Sequence, residues 1–390
     1  MNATSLTAGD TDSLAVTRLR LTRFRNYASL ALDLEPLTVV ATGPNGAGKT
    51  NLLEAISFLA PGRGLRGARL SDIDPAPAGE TPCTAEDVGW AVAATVETRE
   101  GPIEVGTGRT VGEERRTVRI AGKPYKSQAA LSEFVSAVWL TPQMDRIFVD
   151  GPSGRRRFLD RLVFGFDTAH SGRVSAYESA MRQRAKLLRD GVGDDIWLGA
   201  LESTMVERGI AIAAARREIT GRLNRACMLA DGPFPQATLM LEGSLETWLE
   251  TLPALEAEDR MRDALAAARR EGAETALAPV GPHRSDLRVM HFEKGQPADL
   301  CSTGEQKALL IAIVLADARM RAAERDSTPL LLLDEVAAHL DSERRTALFH
   351  AIRDVGAQVW LTGTDRATFE EMQRDAQFLD VRGGQACLQT

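Results

Sequence analysis

An α/β fold is what the sequence predicts: a mixed sheet and an antiparallel β meander, with a helical arm inserted between the two halves of one domain. Three observations carry that expectation. An apolar run over 37–41 ends in a glycine-rich string that opens a helical pattern, the order of strand, tight loop and helix. The middle of the chain, 155–275, is dominated by Ala, Arg, Leu and Glu at helical spacing. Beyond 276, strands and helices alternate again. The resulting segments are an N-terminal lobe over 14–154, an inserted helical arm over 155–275 and a C-terminal lobe over 276–390.

Strand character comes first. Leu19 and Leu21 alternate with Arg18 and Arg20, and the run from Leu37 to Ala41 has the composition of a buried strand. Leu52, Leu53, Ile56 and Leu59 then fall on one helix face. The stretch 75–84, rich in Pro, Ala and Gly, reads as a loop. Trp90, Val92, Ala94 and Val96 alternate with smaller or polar residues, and Ile103, Val105, Val118 and Ile120 continue the habit. That is an antiparallel meander with turns at 99–102 and 112–114. In the arm, helices are expected over 177–188 and 210–229, with breaks near 191–193 and 231–235. No heptad seam persists long enough for an extended coiled coil. Further on, helices are expected over 308–322 and 341–355, and strands over 329–333 and 358–361.

Composition narrows the function classes. The chain has 390 residues, 44% hydrophobic and 26% charged, as in an ordinary globular protein. Its start is polar, without the basic-then-apolar order of a signal peptide, and its longest apolar stretch, 308–316, is too short to span a bilayer. A soluble, cytoplasmic protein is expected, with no membrane partner. The four cysteines and five histidines are scattered, which argues against a disulfide framework or a zinc site. A net charge of −7 makes nucleic-acid binding a matter of local basic clusters, not of the total.

The string Gly43-Pro-Asn-Gly-Ala-Gly-Lys-Thr50 matches G-x-x-x-x-G-K-[ST] in the strand–loop–helix context that the motif requires. Its glycines let successive N–H groups point at phosphates, and the following helix adds its positive end. Lys49 is placed to reach the β- and γ-phosphates, and the Thr50 hydroxyl to ligate Mg²⁺. The nucleotide-binding set is Gly43, Pro44, Asn45, Gly46, Ala47, Gly48, Lys49, Thr50 and the adjoining Asn51. The bland alternative, a glycine-rich turn before a helix, does not account for the Lys-Thr pair in register. Farther on, four leucines end in Asp334 and Glu335. Asp334 suits the Mg²⁺ shell, and Glu335, pointing elsewhere, suits orienting or deprotonating an attacking water. Ser302, Gly304 and Gln306 open a helix near Lys307, and a serine and a glycine at a helix N-terminus make an anion site or a plain N-cap.

The order of P-loop, distant S-x-G-x-Q and hydrophobic strand ending in Asp-Glu resembles the ABC ATPases. In that family the serine–glycine signature of one subunit meets the γ-phosphate held by the other subunit's P-loop, with Asp334 in the Walker B strand. The resemblance extends to Ala338-His-Leu-Asp341 at the D-loop position. At the switch-histidine position stands Thr364, in Thr362-Gly-Thr-Asp365.

Three further strings resemble the RecF family of bacterial gap-repair proteins. They are Leu21-Thr-Arg-Phe-Arg-Asn-Tyr27, Gly151-Pro-Ser-Gly-Arg-Arg-Arg-Phe-Leu-Asp160 and Gly281-Pro-His-Arg-Ser-Asp-Leu287, joined by Pro61-Gly-Arg-Gly-Leu-Arg66. The resemblance implies an ABC-type P-loop ATPase that dimerises on ATP and hydrolyses it weakly, with Mg²⁺ and in a DNA-dependent way. It implies binding to DNA at single-strand gaps and duplex junctions, and work with RecR and RecO to load RecA. DNA damage, the SOS response, replication restart and a nucleoid-associated location follow from it.

Basic clusters supply candidate DNA contacts: Arg63, Arg66 and Arg69, then Arg155, Arg156, Arg157 and Arg161, then Arg182, Arg184, Lys186 and Arg189. Such clusters also occur as solvated or ion-paired faces. No aromatic is interleaved in the manner of a single-strand stacking platform, which points to duplex backbone contact. Gln143 stands either as a Q-loop residue or as a turn residue, and His283 reads as an anchor of the second lobe. Two other function classes stay open at this point: the nucleotide-binding subunit of a membrane transporter, and a non-hydrolysing SMC-like clamp.

Overall fold

The computed structural model describes residues 14–74, 88–191, 194–229, 232–270, 278–325 and 327–389. The loop expected over 75–84 and the arm boundary at 275 lie outside the described residues. Along the chain run β1 (Ala15–Phe24), β2 (Tyr27–Asp33), β3 (Thr38–Thr42), α1 (Lys49–Ser57), β4 (Val88–Thr98), β5 (Gly101–Thr110), β6 (Thr117–Ile120), β7 (Lys123–Tyr125) and β8 (Ala137–Leu140). Then come α2 (Pro152–Phe164), α3 (His170–Arg189), α4 (Asp195–Met228), β9 (Ala237–Glu242), α5 (Ser244–Thr251), α6 (Ala254–Arg270), β10 (Asp286–His291) and β11 (Gln296–Pro297). The remainder is α7 (Thr303–Arg325), β12 (Leu330–Leu333), α8 (Ser342–Val355), β13 (Val359–Gly363), β14 (Ala376–Arg382) and β15 (Gln385–Gln389).

Two compact units emerge, one formed by 1–142 with 317–390 and the other by 143–316. The first holds two six-stranded sheets, ordered β2-β1-β4-β5-β6-β7 and β15-β14-β3-β13-β12-β8. The former is antiparallel throughout, the meander that the alternating pattern called for. In the latter, β14, β3, β13, β12 and β8 run parallel, and only β15 is antiparallel. The parallel strands are apolar on both faces, as Leu330–Leu333 shows with all four residues buried.

Helix α1 is buried on nearly every side, with Leu52, Leu53, Ala55 and Ile56 in one core with both sheets. Next to it Phe24, Phe58 and Trp90 pack edge-on and tilted, with ring centroids 5.2–6.0 Å apart. Truncating Phe58 there would cost about 3–5 kcal/mol. Glu54, also on α1 and fully buried, accepts from Arg25 at 2.9 Å through both oxygens and from Arg66 at 2.8 Å. A buried carboxylate without those two cations would carry a large desolvation penalty. Arg66 thereby fixes the 61–69 loop against the helix.

The inserted unit is larger than the helical pattern marks, and it is not all helix. It includes the three-stranded sheet β11-β10-β9, and β9 lies inside the stretch read as arm. The six residues of β9 alternate Ala237, Leu239 and Leu241 against polar or exposed neighbours, too short a run to stand out between long helices. Helix α4 has 34 residues, about 50 Å at 1.5 Å per residue. Its Met205, Val206, Ile210 and Ala213 share a core with Tyr177, Met261 and Leu265. Helix α2 starts at Pro152, earlier than the expected 155, because proline at the first helical turn has no N–H to leave unpaired. Helix α7 starts at Thr303, not near 307, since Ser302 and Glu305 form a reciprocal cap.

Candidate nucleotide site

In the first unit the carboxyl ends of β3, β12 and β13 align, with Thr362 opposite Ala41 and Leu333 opposite Leu361. Ligands of open parallel sheets bind in the crevice at this end. From β3 the chain passes into the loop 43–48. Gly43 lies at φ +155°, where an added Cβ would fall 2.1 Å from the Val381 carbonyl oxygen. Gly48 lies at φ +116°, with a Cβ position 2.5 Å from the Asn26 amide. Neither position admits a side chain.

The loop is braced from β1–β2. Asn26 Nδ2 donates to the Ala47 carbonyl at 2.9 Å, and the Tyr27 hydroxyl donates to the Gly48 carbonyl at 3.1 Å. Asn51 Nδ2 donates to Asn26 Oδ1 at 2.7 Å, and Arg66 donates to Asn51 Oδ1 at 2.7 Å. The Leu21–Tyr27 string thus has a structural cause: Phe24 fills the core, Arg25 holds Glu54, and Asn26 and Tyr27 clamp the loop.

Lys49 is buried, and its ammonium is turned onto its own loop. It donates to the Gly43 and Pro44 carbonyls at 2.8 and 3.2 Å and lies 3.3 Å from Glu335 Oε1. That engages all three of its donors. The Thr50 hydroxyl lies within 2.9 Å and 3.0 Å of the two Asp334 oxygens. Thr362, a residue the motifs did not single out, joins the two acids. Its hydroxyl donates to Asp334 Oδ1 at 2.8 Å and accepts the Glu335 N–H at 2.8 Å. Glu335 sits at φ +53°, a left-handed conformation unusual for a glutamate, and its carboxyl meets Lys49 while that of Asp334 meets Thr50 and Thr362. Burial pushes the Asp334 carboxyl up from its ordinary value, opposed by the hydroxyls of Thr362 and Thr50. A cation beside it would relieve that cost.

A hollow of about 760 Å³ opens here, lined by Asn45, Lys49, Thr50, Asn51, Arg66, Asp334 and Glu335. Ala338 of the D-loop position and Thr364 of the switch position line it too. Asp341 instead caps α8, accepting the Arg344 N–H at 2.8 Å. The donor set fits magnesium: Thr50 and Asp334 would offer it hard oxygen donors of the kind it prefers. Among the described residues no group of three or more Asp, Glu, His or Cys forms a protein-only metal cage.

Ser302, Gly304 and Gln306 lie in the second unit. The Ser302 N–H and hydroxyl both donate to Glu305 Oε2 at 2.9 Å, and Glu305 also pairs with Lys294. Those bonds hold the Glu305 carboxyl down at about 2, the Lys294 ammonium being the largest cause. Buried Gln306 donates to the Cys301 carbonyl at 2.9 Å.

The candidate DNA contacts separate. Arg63 and Arg157 are exposed. Arg66 is held by Asn51 and Glu54, and half-buried Arg156 donates to the Ser285 carbonyl at 2.8 Å. Arg155 is withdrawn altogether. It is buried, bidentate to Asp286 at 2.7 and 2.9 Å, and bonded to the Ile147, Phe148 and Asp150 carbonyls. That corrects its reading as a DNA contact, since every donor is committed inside the fold. Arg184 is likewise buried against Glu202 at 2.7 Å. Gln143 is exposed at the start of the second unit.

The second unit also explains two sequence strings. Arg155 and Arg156 of one meet Asp286 and Ser285 of the other, and Asp160 pairs with His170 and with Arg216, which donates to the Pro282 carbonyl at 2.6 Å. His283 accepts the Tyr177 hydroxyl at Nδ1, 2.7 Å away, and donates from Nε2 to the Ala278 carbonyl at 3.2 Å. Burial lowers its imidazole to about 4. These strings are a clasp within the unit.

A model of the RecF/RecN/SMC N terminal domain matches residues 15–386. The chain is 50% identical over 374 residues to a DNA replication and repair protein RecF of Mesorhizobium japonicum, covering 95% of this chain and 96% of that one. It is 48% identical over 380 residues to the protein of that name from Brucella suis, 96% of each. It is 46% identical over 378 residues to the one from Agrobacterium fabrum, 96% of this chain and 98% of that one. Among solved structures it is similar to the recombination mediator protein RecF-ATPrS in the RecFOR pathway, with a TM-score of 0.83 at 21% identity over 97% of this chain and 99% of that one. It is also similar to an Smc head domain with an extended coiled coil from Pyrococcus furiosus, TM-score 0.53 at 16% identity over 96% of each chain. Those two likenesses show the fold, the ABC/SMC-type head.

Proposed function

For a chain that belongs to the RecF/RecN/SMC N-terminal domain family, and within it to RecF, we propose an ATP-dependent DNA-binding role in recombinational repair and replication restart. Membership of that family leaves the transporter-subunit reading without support. The observation that carries the proposal is the convergence of Lys49, Thr50, Asp334, Glu335 and Thr362 at the ends of three parallel strands.

ATP enters with its phosphates on the N–H groups of the 43–48 loop and on the N-terminus of α1. Lys49 leaves the Gly43 and Pro44 carbonyls for the β- and γ-phosphates. Thr50 and Asp334 are the residues that would hold Mg²⁺, an ion that neutralises phosphate charge as the γ-phosphoryl leaves. Glu335, released from Lys49, accepts a proton from the attacking water, and Thr362 keeps the two acids apart in direction. Ser302, Gly304 and Gln306 of a second copy complete the site, so ATP closes a homodimer on DNA and slow hydrolysis reopens it. Binding at gaps and junctions, with RecR and RecO acting to load RecA, is the setting in which such a timer works.

The test is DNA binding with and without ATP, on gapped, duplex and single-stranded substrates over a salt series. ATP-strengthened binding with a gapped or junction preference is expected. Binding indifferent to ATP on every substrate would overturn the proposal.

A further inference from the structure

A second hollow of the first unit, about 950 Å³, is walled by the 62–71 loop, the 109–116 turn of the β5–β6 hairpin and residues 126–128. Among the described residues six cations line it, Arg63, Arg69, Arg109, Arg115, Arg116 and Lys126, against two acids, Glu113 and Glu114. Arg109 is already neutralised by Asp74. Arg63, Arg69, Arg115 and Lys126 are exposed and have no ion-pair partner among the described residues. Like charges are not gathered in this way without cost, because each repels the others and the two acids leave most of them unmatched.

Arg116 makes the case sharper. Its guanidinium is pinned by neutral acceptors only, the Phe58 and Ala60 carbonyls at 2.8 and 3.1 Å and Gln128 Oε1 at 2.8 Å. It stacks 5.3 Å over the Phe58 ring. Burial lowers it to about 10, with no carboxylate opposing. Half-buried and held only by neutral partners, this guanidinium adds a fixed positive charge to the wall.

We propose that this hollow is a binding surface for the phosphate backbone of duplex DNA. The inference rests on the DNA-binding role proposed above and names the surface that carries it. Among the described residues no aromatic lines the hollow, so bases have no platform to stack on there and the contact is to backbone. The 61–69 loop separates the hollow from the nucleotide site. Arg63 and Arg69 line the basic side, while Arg66 lines the nucleotide side and holds Asn51 beside the P-loop. Occupancy of one site therefore bears on the other through a single short segment.

The test uses the full chain with Mg²⁺ and ATP, and fluorescence anisotropy of labelled duplex and single-stranded oligonucleotides across a salt series. The Arg63→Ala/Arg115→Ala variant is expected to bind duplex about tenfold more weakly, and its salt slope to fall by about 0.9 for each lost contact. Arg63→Lys/Arg115→Lys should restore most binding, because phosphate needs the charge alone. ATP affinity should be unchanged in both, as neither residue lines the nucleotide hollow. Arg182→Ala/Arg189→Ala on α3 is the control and should have little effect, because Arg182 pairs with Glu178 at 3.6 Å and Arg189 donates to the Ala185 carbonyl at 3.2 Å, outside the hollow. Wild-type duplex affinity and slope in the alanine variant, or a loss confined to single strands, would overturn the surface. A wild-type protein that binds no DNA in any nucleotide state would instead overturn the function on which it rests.

Discussion

Thr362→Val is the perturbation that most sharply separates a working site from a set of motifs. Valine keeps the shape of threonine and removes one hydroxyl, which is fully buried and makes two bonds of 2.8 Å. One goes to the Asp334 carboxyl, and hydrogen bonds contribute about 0.5–1.5 kcal/mol, or up to about 3 when the partner is charged. The other satisfies the N–H of Glu335, which has no second acceptor among the described residues. An orphaned buried N–H costs a further 1–3 kcal/mol or so. We expect a loss of about 2–4 kcal/mol in unfolding free energy, smaller than a deleted core aromatic. The larger effect falls on chemistry. With Glu335 unlatched, the proposed general base loses its aim, and turnover at saturating ATP should drop about 10- to 100-fold. Asp334 loses the neighbour that orients it, so the Mg²⁺ needed for half-maximal activity should rise. Nucleotide binding by Lys49 and the 43–48 loop should persist. A steady-state phosphate-release assay over a Mg²⁺ titration, paired with nucleotide binding and thermal melts, reads all three effects. Thr362→Ser should behave nearly as wild type. Wild-type turnover in Thr362→Val at saturating Mg²⁺ and ATP would refute the reasoning, because the hydroxyl would then only fill space.

Three other outcomes follow from the same geometry. Ser302→Arg chains should bind ATP yet neither dimerise nor hydrolyse it, while mixing them with Lys49→Arg chains should recover some ATP-dependent dimer, since one site of the mixed dimer carries neither defect; light scattering reads this, and wild-type behaviour of Ser302→Arg alone would leave Ser302 a helix cap. Arg155→Ala should lower stability by about 2–3 kcal/mol, because half-buried Asp286 keeps only Arg288 at 3.7 Å and the Ile147, Phe148 and Asp150 carbonyls lose their shared donor, with duplex affinity unchanged in the protein that remains folded. His283 has a folded value of about 4, below its ordinary value near 6.5. The folded state therefore binds its proton less readily than the unfolded chain, so the stability it contributes is complete above about pH 6.5 and lost as pH falls toward 4, by up to about 3 kcal/mol. Denaturant midpoints over that range should flatten in His283→Gln, and an unaltered pH slope would count against a neutral, buried imidazole.

Legibility in the sequence followed the range of the interaction. Lys49 and Thr50 announce themselves because the cradle is one continuous string, and Asp334 and Glu335 because an apolar strand must end where they stand. Their meeting, by contrast, joins residues 284 positions apart, and only the order of strands and helices hinted at it. Thr362 had no local signal beyond its place at a strand end, for a threonine in a buried strand is ordinary. The Arg25–Glu54–Arg66 cluster was hidden for a related reason: Glu54 stands on a helix face whose burial depends on two sheets closing over it. Arg155 misled because charge runs read as surface, and its partner Asp286 lies 131 residues away. Strand β9 was lost among helices because six alternating residues are weak evidence beside a 34-residue helix. The cap of α7 was readable, since serine followed three residues later by glutamate is a helix start.

The central claim is that ATP, held at the P-loop and cleaved with help from Glu335, governs whether two copies are joined. Glu335→Gln tests it most directly, because the amide keeps the shape and the reach to Lys49 while removing the base. Size-exclusion chromatography with light scattering, run with ATP and Mg²⁺, should show the variant accumulating as a long-lived dimer with intact ATP inside. Wild type should pass through the dimer and return to monomer as ATP is consumed. A variant that hydrolyses ATP at the wild-type rate, or that stays monomeric where wild type dimerises, would contradict the account.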